Sequence, residues 1–320
     1  MLHRVLGQYN QFRCATDKCM DTCCGGWEIE IDEAFMERYK DKRNQGDTNL
    51  AKKINWSNHC FTQSDIGRCS FLQKDNLCEM YLNYGENMLC DTCRMYPRHI
   101  EEFENVREYS LSISCPEVVR MLLEQTKPLT WVETNSLEQE EPYGDFDSQL
   151  YEQLLQSRRY MLKILQNRHF KYSIRCWKLL CIAHHLQMTL DSGKMFQKKD
   201  MEDWIQETYP MQSEEEVWQR NRLLLHNLLE LEALQTDWQD RISEIDEILF
   251  AVGAKDYTAL EKKFDDQFIE WPHYAEQLTV YFIDTYFCGA VYDNYVYAKV
   301  QGAVVHVLLM KQFLMAKWKK

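Results

Sequence analysis

Ten of the thirteen cysteines in this chain fall within its first 115 residues, and Cys14, Cys19, Cys23 and Cys24 sit within eleven positions. Cys60, Cys69, Cys78, Cys90, Cys93 and Cys115 complete the group, and the remaining 205 residues hold only Cys176, Cys181 and Cys288. Thiols concentrated in this way constrain a fold strongly, because they tie distant segments together through either metal or disulfides. The chain has 320 residues, 45% of them hydrophobic, and so can build a core without disulfide staples. Met1 to Gln8 contain no apolar run of signal-peptide length. The most apolar late segment, Val300 to Ala316, is interrupted by Gln301, His306, Lys311 and Gln312, which makes it a poor membrane span. A cytoplasmic protein with reduced thiols is therefore expected, and metal binding is favoured over disulfides. The net charge of -13 argues against nucleic acid as a partner and is compatible with a basic substrate.

The expected fold class is mainly α, in three parts. Residues 1–125 read as a cysteine-rich metal-binding domain of short helices and loops, punctuated by Gly25, Gly26, Gly46, Gly67, Gly85, Pro97 and Pro116. Residues 126–148, with Pro128, Pro142, Gly144 and six acidic residues, read as an acidic linker or surface loop. Residues 149–320 read as a helical bundle. There, Leu150, Leu154, Leu155, Met161, Leu162 and Leu165 recur at helical spacing, and Ile174 to Leu190 predicts a second helix. Ser213 and Glu216 form a capping-box signature, and Asp237 can cap a helix carrying Ile242, Ile245 and Leu249. Further helices are expected over residues 257–271, 274–287 and 291–318.

Thiolates suit zinc and iron–sulfur clusters, both of which prefer soft donors. The sequence has one C-x2-C, Cys90–Cys93, whereas a zinc ribbon needs two. The first group, C-x4-C-x3-C-C, matches neither a zinc ribbon nor a ferredoxin. On extended backbone Cys23 and Cys24 would point opposite ways, to different sites or with one of them structural.

The run F-R-C-A-T-D-K-C-M-D-T-C-C-G-G-W-E-I-E-I-D is followed in order by C-S-F-L-x5-C, T-C-R-M-Y-P-R and S-L-S-I-S-C-P-E. This set resembles the eight-cysteine zinc- or iron-chelating domain of bacterial proteins, and more closely the flagellin lysine-N-methylase family. The resemblance implies methyl transfer from S-adenosylmethionine to lysine side chains of flagellin, with a cysteine-bound [4Fe-4S] cluster. The positions that match are Cys14, Cys19, Cys23, Cys24, Cys69, Cys78, Cys93 and Cys115; Cys60 and Cys90 fall outside them. It also implies a longer chain, with a further segment after Lys320. A metal-binding scaffold or sensor without enzymatic activity is the alternative reading.

No G-x-G-x-x-G loop is present, so a donor pocket of Rossmann type is not expected. Tyr96 and Arg98 are the candidate cofactor-binding residues, Arg98 as partner for the carboxylate of a methionine-type donor. Its ordinary alternative is a salt bridge to a neighbouring acid. Asp17 and Asp21 could bind an amine, or cap turns. The sequence selects no catalytic base among its tyrosines. His184–His185 cannot converge on one ion as helix neighbours, and Cys176, Cys181 and Cys288 read as buried hydrophobes. The aromatic stripe from Tyr281 to Tyr297 reads as core or as the wall of a pocket.

Overall fold

The computed structural model describes the whole chain except residues 16–17, 20, 138–142, 195–197 and 234–236; side chains of 198 and 199 are also outside the description. It divides into two compact units, Met1–Glu140 and Glu141–Lys320. It is mainly α-helical, as the sequence predicts. No helix among the described residues is long and apolar enough to cross a membrane.

The first unit runs β1 (Leu2–Leu6), α1 (Glu33–Asn44), α2 (Thr48–Lys52), β2 (Ile54–Asn55), β3 (Cys60–Phe61), α3 (Glu79–Tyr84), α4 (Asp91–Met95), β4 (Arg98–Phe103), β5 (Val106–Leu111), α5 (Pro116–Leu123) and β6 (Trp131–Asn135). Short helices and loops are present as expected, but a four-stranded sheet of order β4-β5-β1-β6 was not expected. β1 runs parallel to β5 and antiparallel to β6. Arg4 is the register partner of both Glu108 and Glu133. Its buried guanidinium bonds Glu108, and its Nε lies 3.0 Å from Glu133 Oε1. A charge at an inward strand position is tolerated because carboxylates on both neighbouring strands meet it. The residues 126–148, read as a linker or loop, therefore contribute a strand, Trp131–Asn135, to this sheet.

Among the described residues of this unit, two apolar cores take in cysteines. One joins Ile29, Ile31, Phe35, Met36, Tyr39, Leu50, Phe61, Phe71 and Met80 with Cys24, Cys69 and Cys90. Each such large side chain removed from water contributes about 1.5–3 kcal/mol. The other joins Phe12, Leu111, Cys115 and Val118.

The second unit runs α6 (Ser148–Leu165), α7 (Tyr172–Asp191), α8 (Lys198–Trp204), α9 (Glu214–Asn227), α10 (Trp238–Phe250), α11 (Ala254–Gln267), α12 (Trp271–Tyr286), α13 (Ala290–Asp293) and α14 (Val296–Lys319). The capping box closes as predicted: Ser213 Oγ accepts from Glu216 N–H, and Glu216 accepts from Ser213 N–H. Asp237 stands at the N-cap of α10 but makes no capping bond, and pairs with Arg241 at 2.7 Å instead. The long helix expected over 291–318 is broken at Asn294, whose φ of 60° ends α13 in the left-handed region. Tyr281 and Phe287 are buried, whereas Tyr286, Tyr292 and Tyr295 are exposed, so the aromatic stripe is divided. Glu276 is buried and paired with Arg175 at 2.5 Å and Arg168 at 2.8 Å.

Candidate metal centre and ligand site

The cysteines of the first unit are positioned by helix starts and by short bridges. Cys78, Cys90 and Cys115 are the N-cap residues of α3, α4 and α5. A thiolate there meets the unpaired N–H groups and the positive end of a helix. The sequence carries the signal, because each is followed by residues suited to a first helical turn: Glu79, Asp91, and Pro116 with Glu117. Carboxylates fix two of these helices. Asp32 caps α1 through Phe35 N–H at 3.0 Å and also accepts from Asp91 N–H at 2.9 Å, which holds α4. Asp47 caps α2 and accepts from the Tyr84 hydroxyl at 2.6 Å, which holds α3. Cys69 N–H donates to the Cys24 carbonyl at 2.8 Å, and Leu72 bridges to Cys78.

Cys23, Cys24, Cys69, Cys78, Cys90 and Cys93 thereby come together. The sulfurs of Cys23 and Cys24 lie 3.8 Å apart, so the adjacent pair turns to one side, contrary to the divergence expected of extended backbone. A hydrogen bond from Cys24 holds the Cys78 thiol down to about 6; burial opposes this, and the N–H groups of Tyr81 and Met80 reinforce it. Cys23 is lowered by the same donor, while Cys24 is pushed far up. In a second pair Cys93 donates to Cys90, which lowers Cys90 and raises Cys93. Burial pushes Cys69 up to about 11.

Cys115 belongs to the other core, beside Phe12 and Leu111. Burial pushes its thiol up, the N–H groups of Val118 and Glu117 pull it down, and neighbouring Cys19 and Cys14 push it up again. The structure therefore brings the eight predicted cysteines into two groups, and adds Cys90 to the first. Cys60 is buried elsewhere, its thiol pushed up by burial and by Glu28 and Glu30.

All thirteen cysteines are free thiols. The donor set fits a soft metal: helix-capping thiols, and a sulfur pair at the spacing of about 3.8 Å that metal–sulfur bonds of ~2.3 Å imply for a tetrahedral site. Among the described residues, no three His, Cys, Asp or Glu side chains already surround one point as metal ligands do.

Tyr96 lies where the two groups approach. Its ring stacks on Trp27 at 6.3 Å, and its hydroxyl donates to Ser114 Oγ at 3.1 Å. Burial raises this hydroxyl to about 12, with Ser114 opposing and Cys115, Cys23 and Asp21 reinforcing. Asp21 and Ser114 line a shallow cleft with Ile113, Pro116, Val119 and Arg120. Asp21 accepts from Thr22 N–H at 2.8 Å, the turn role expected of it, and Asp17 lies outside the described residues. The Arg98 guanidinium sits over the rings of Tyr9 and Phe12, each 5.6 Å away. It pairs with no carboxylate among the described residues, contrary to the salt bridge that was the alternative reading.

In the second unit, His185 bonds Glu207 and stacks on Trp204, while His184 meets Tyr297 edge-on; the two do not converge. Cys176, Cys181 and Cys288 are buried.

The FliB lysine N-methylase C-terminal domain family matches residues 158–320. The chain is 30% identical over 138 residues to the Lysine-N-methylase of Salmonella typhimurium, covering 40% of this chain and 34% of that protein. It is 32% identical over 121 residues to the Flagellar biosynthetic protein FliU of Salmonella muenchen, covering 35% of this chain and 71% of that protein. The Lysine-N-methylase of Salmonella choleraesuis is 30% identical over 137 residues, again across 34% of its length. The matched stretch thus spans about a third of each lysine-N-methylase. No solved structure matches the chain. With a family match over half its length and an ordered cysteine set ahead of it, the chain belongs to the FliB lysine N-methylase family.

Proposed function

We propose that this protein transfers methyl groups from S-adenosylmethionine to lysine side chains of flagellin in the cytoplasm. The observation that carries this reading is the family match over residues 158–320. The relatives' names, Lysine-N-methylase and Flagellar biosynthetic protein, support the acceptor. The acidic balance, a net charge of -13, suits a lysine-bearing substrate.

Chemically, a neutral amine displaces the donor's thioether: the N–C bond forms as the S–CH3 bond breaks, and the positive charge passes from sulfur to nitrogen. Lysine is protonated at pH 7, and freeing its lone pair costs roughly 4–5 kcal/mol at an unperturbed pKa of about 10.4. A carboxylate near the amine and removal of water around it reduce that cost. Arg98 offers its fork to the donor's carboxylate, because no carboxylate among the described protein residues occupies it. The stacked Trp27 and Tyr96 rings offer an electron-rich face to a sulfonium or ammonium cation.

The cysteines would hold an iron–sulfur cluster or zinc. A metal held by Cys78 and Cys93 would crosslink α3 and α4 to the segment before α1 that carries Cys23 and Cys24. The chemistry then rests on residues held beside it.

Calorimetric titration of the protein with S-adenosylmethionine tests the donor site. Saturable binding is expected, with Arg98→Ala weakening it about tenfold or more, the order of a lost charge-assisted pair. Absence of heat and of competition by S-adenosylhomocysteine would leave a metal-binding scaffold as the better reading.

A further inference from the structure

We propose that the cleft between the segment before α1 and the start of α5 seats the acceptor lysine, its ammonium on Asp21 and its alkyl stem along Ile113, Pro116 and Val119. This rests on the lysine-methylation reading above and adds the place and chemistry of the acceptor: a lysine side chain on an exposed peptide segment.

The cleft has a volume of about 460 Å3, within the range of about 300–1,000 Å3 usual for ligand sites. Its apolar wall follows from the two faces of α5. Val118 and Leu122 are buried, which leaves Val119 and Arg120 to line the cleft with Pro116. A lysine stem lies readily along such a wall while its charged head stays in polar surroundings.

Charge selects a cation. Asp21 is exposed, and Thr22 N–H, donating to Oδ1 at 2.8 Å, fixes its carboxylate. No cation among the described residues pairs with it. Arg120 does not offset it, because Glu117 and Glu124 each hold its guanidinium at 2.6 Å. Two carboxylates around one guanidinium leave that side of the cleft negative as well. Ser114 adds a hydroxyl, held by Tyr96 at 3.1 Å and by Ser112 at 2.7 Å, that can accept from the ammonium.

Position relative to the donor residue agrees. Ile113 and Tyr96 pack against the core of Phe12, Leu111, Cys115 and Val118. Arg98, offered to the donor's carboxylate, lies over Phe12 and Tyr9 of the same cluster. Both substrates of a displacement must be held together, and one apolar platform carries both sets of residues.

The test is equilibrium binding of flagellin to the whole, metal-replete protein with S-adenosylhomocysteine present, together with methylation kinetics, for the wild type, Asp21→Asn and Val119→Phe. Asparagine keeps an oxygen for Thr22 N–H, and phenylalanine fills the cleft from a half-buried position. Asp21→Asn should weaken flagellin binding and raise its KM about fivefold, the order of an exposed ion pair, and Asp21→Glu should recover part of this. Val119→Phe should weaken binding at least as much, and repeats the test if Asp21→Asn disturbs the metal. Donor affinity and metal content should stay at the wild-type level. Wild-type flagellin affinity in both variants would overturn the cleft and leave methyl transfer standing, and a wild type that binds no flagellin would also overturn it. A wild type that binds flagellin without methylating its lysines would overturn the underlying reading instead.

Discussion

Cys78, Cys90 and Cys115 share one local position: each stands at the N-cap of a short helix that begins with an acid or with proline. The position sets each sulfur near the first backbone N–H groups of a helix, which pull toward the thiolate, the form that binds metal; Cys78 and Cys90, each also bonded by a neighbouring thiol, are lowered, while burial keeps Cys115 raised. Cys90 differs from the other two. It is wholly buried, and its sulfur lies 3.7 Å from the Glu30 carbonyl oxygen as well as beside Cys93. Serine is a strong N-cap of similar size, so Cys90→Ser is expected to keep both the fold and the full metal content. Metal analysis and thermal unfolding check this; loss of metal would make Cys90 a ligand. The spacing Cys90–Cys93 was legible as C-x2-C, yet its role was not, because burial and the neighbouring carbonyl are set by residues sixty positions away. Arg98 was legible as a cation near the metal, but the Tyr9 and Phe12 rings beneath it come from the other end of the unit.

Among the elements, the helices of the second unit were readable because their apolar residues recur at helical spacing and Ser213 with Glu216 marks a start. The sheet was not. β4 reads R-H-I-E-E-F and β5 reads V-R-E-Y-S-L, so charged residues occupy positions that strand patterning reserves for apolar ones. Arg4, Arg107 and Glu108 are buried there, and only the assembled strands supply partners such as the Arg4–Glu108 pair. The β4–β5 turn is Glu104-Asn105, with Glu104 at φ 44°, and lacks the glycine that usually announces a hairpin. Helix α12 carries a comparable buried charge, Glu276. Burial raises its carboxyl, but Arg168 and Arg175 outweigh this and hold it below the usual carboxylate value. Its contribution to stability is therefore complete above the unfolded value of about 4.3 and is lost as pH falls through the lower folded value. Glu276→Gln is expected to destabilise the second unit by about 3–5 kcal/mol at pH 7, since two guanidinium groups lose their partner. It should also flatten the acid limb of stability below about pH 4. Urea unfolding at pH 7 and between pH 5 and 3 measures both; a variant with unchanged midpoint and unchanged acid limb would contradict the pairing.

For the molecule as a whole, composition and chemistry divide along the chain. The first unit concentrates ten cysteines and the sheet, and the second is helical and carries the family match. The ordered cysteine motifs made the family readable, whereas the donor site proposed above would draw on side chains from β4, from the segment after β1 and from the loop before α5. Such a site has no contiguous sequence signature. The proposed reaction is methyl transfer to lysine. It is tested most directly by incubating the anaerobically purified, metal-replete protein with flagellin and methyl-labelled S-adenosylmethionine, then mapping the label by mass spectrometry. Label on flagellin lysine side chains, absent when the protein is omitted, is the result predicted; flagellin without labelled lysine, with the metal intact and the donor bound, would contradict it.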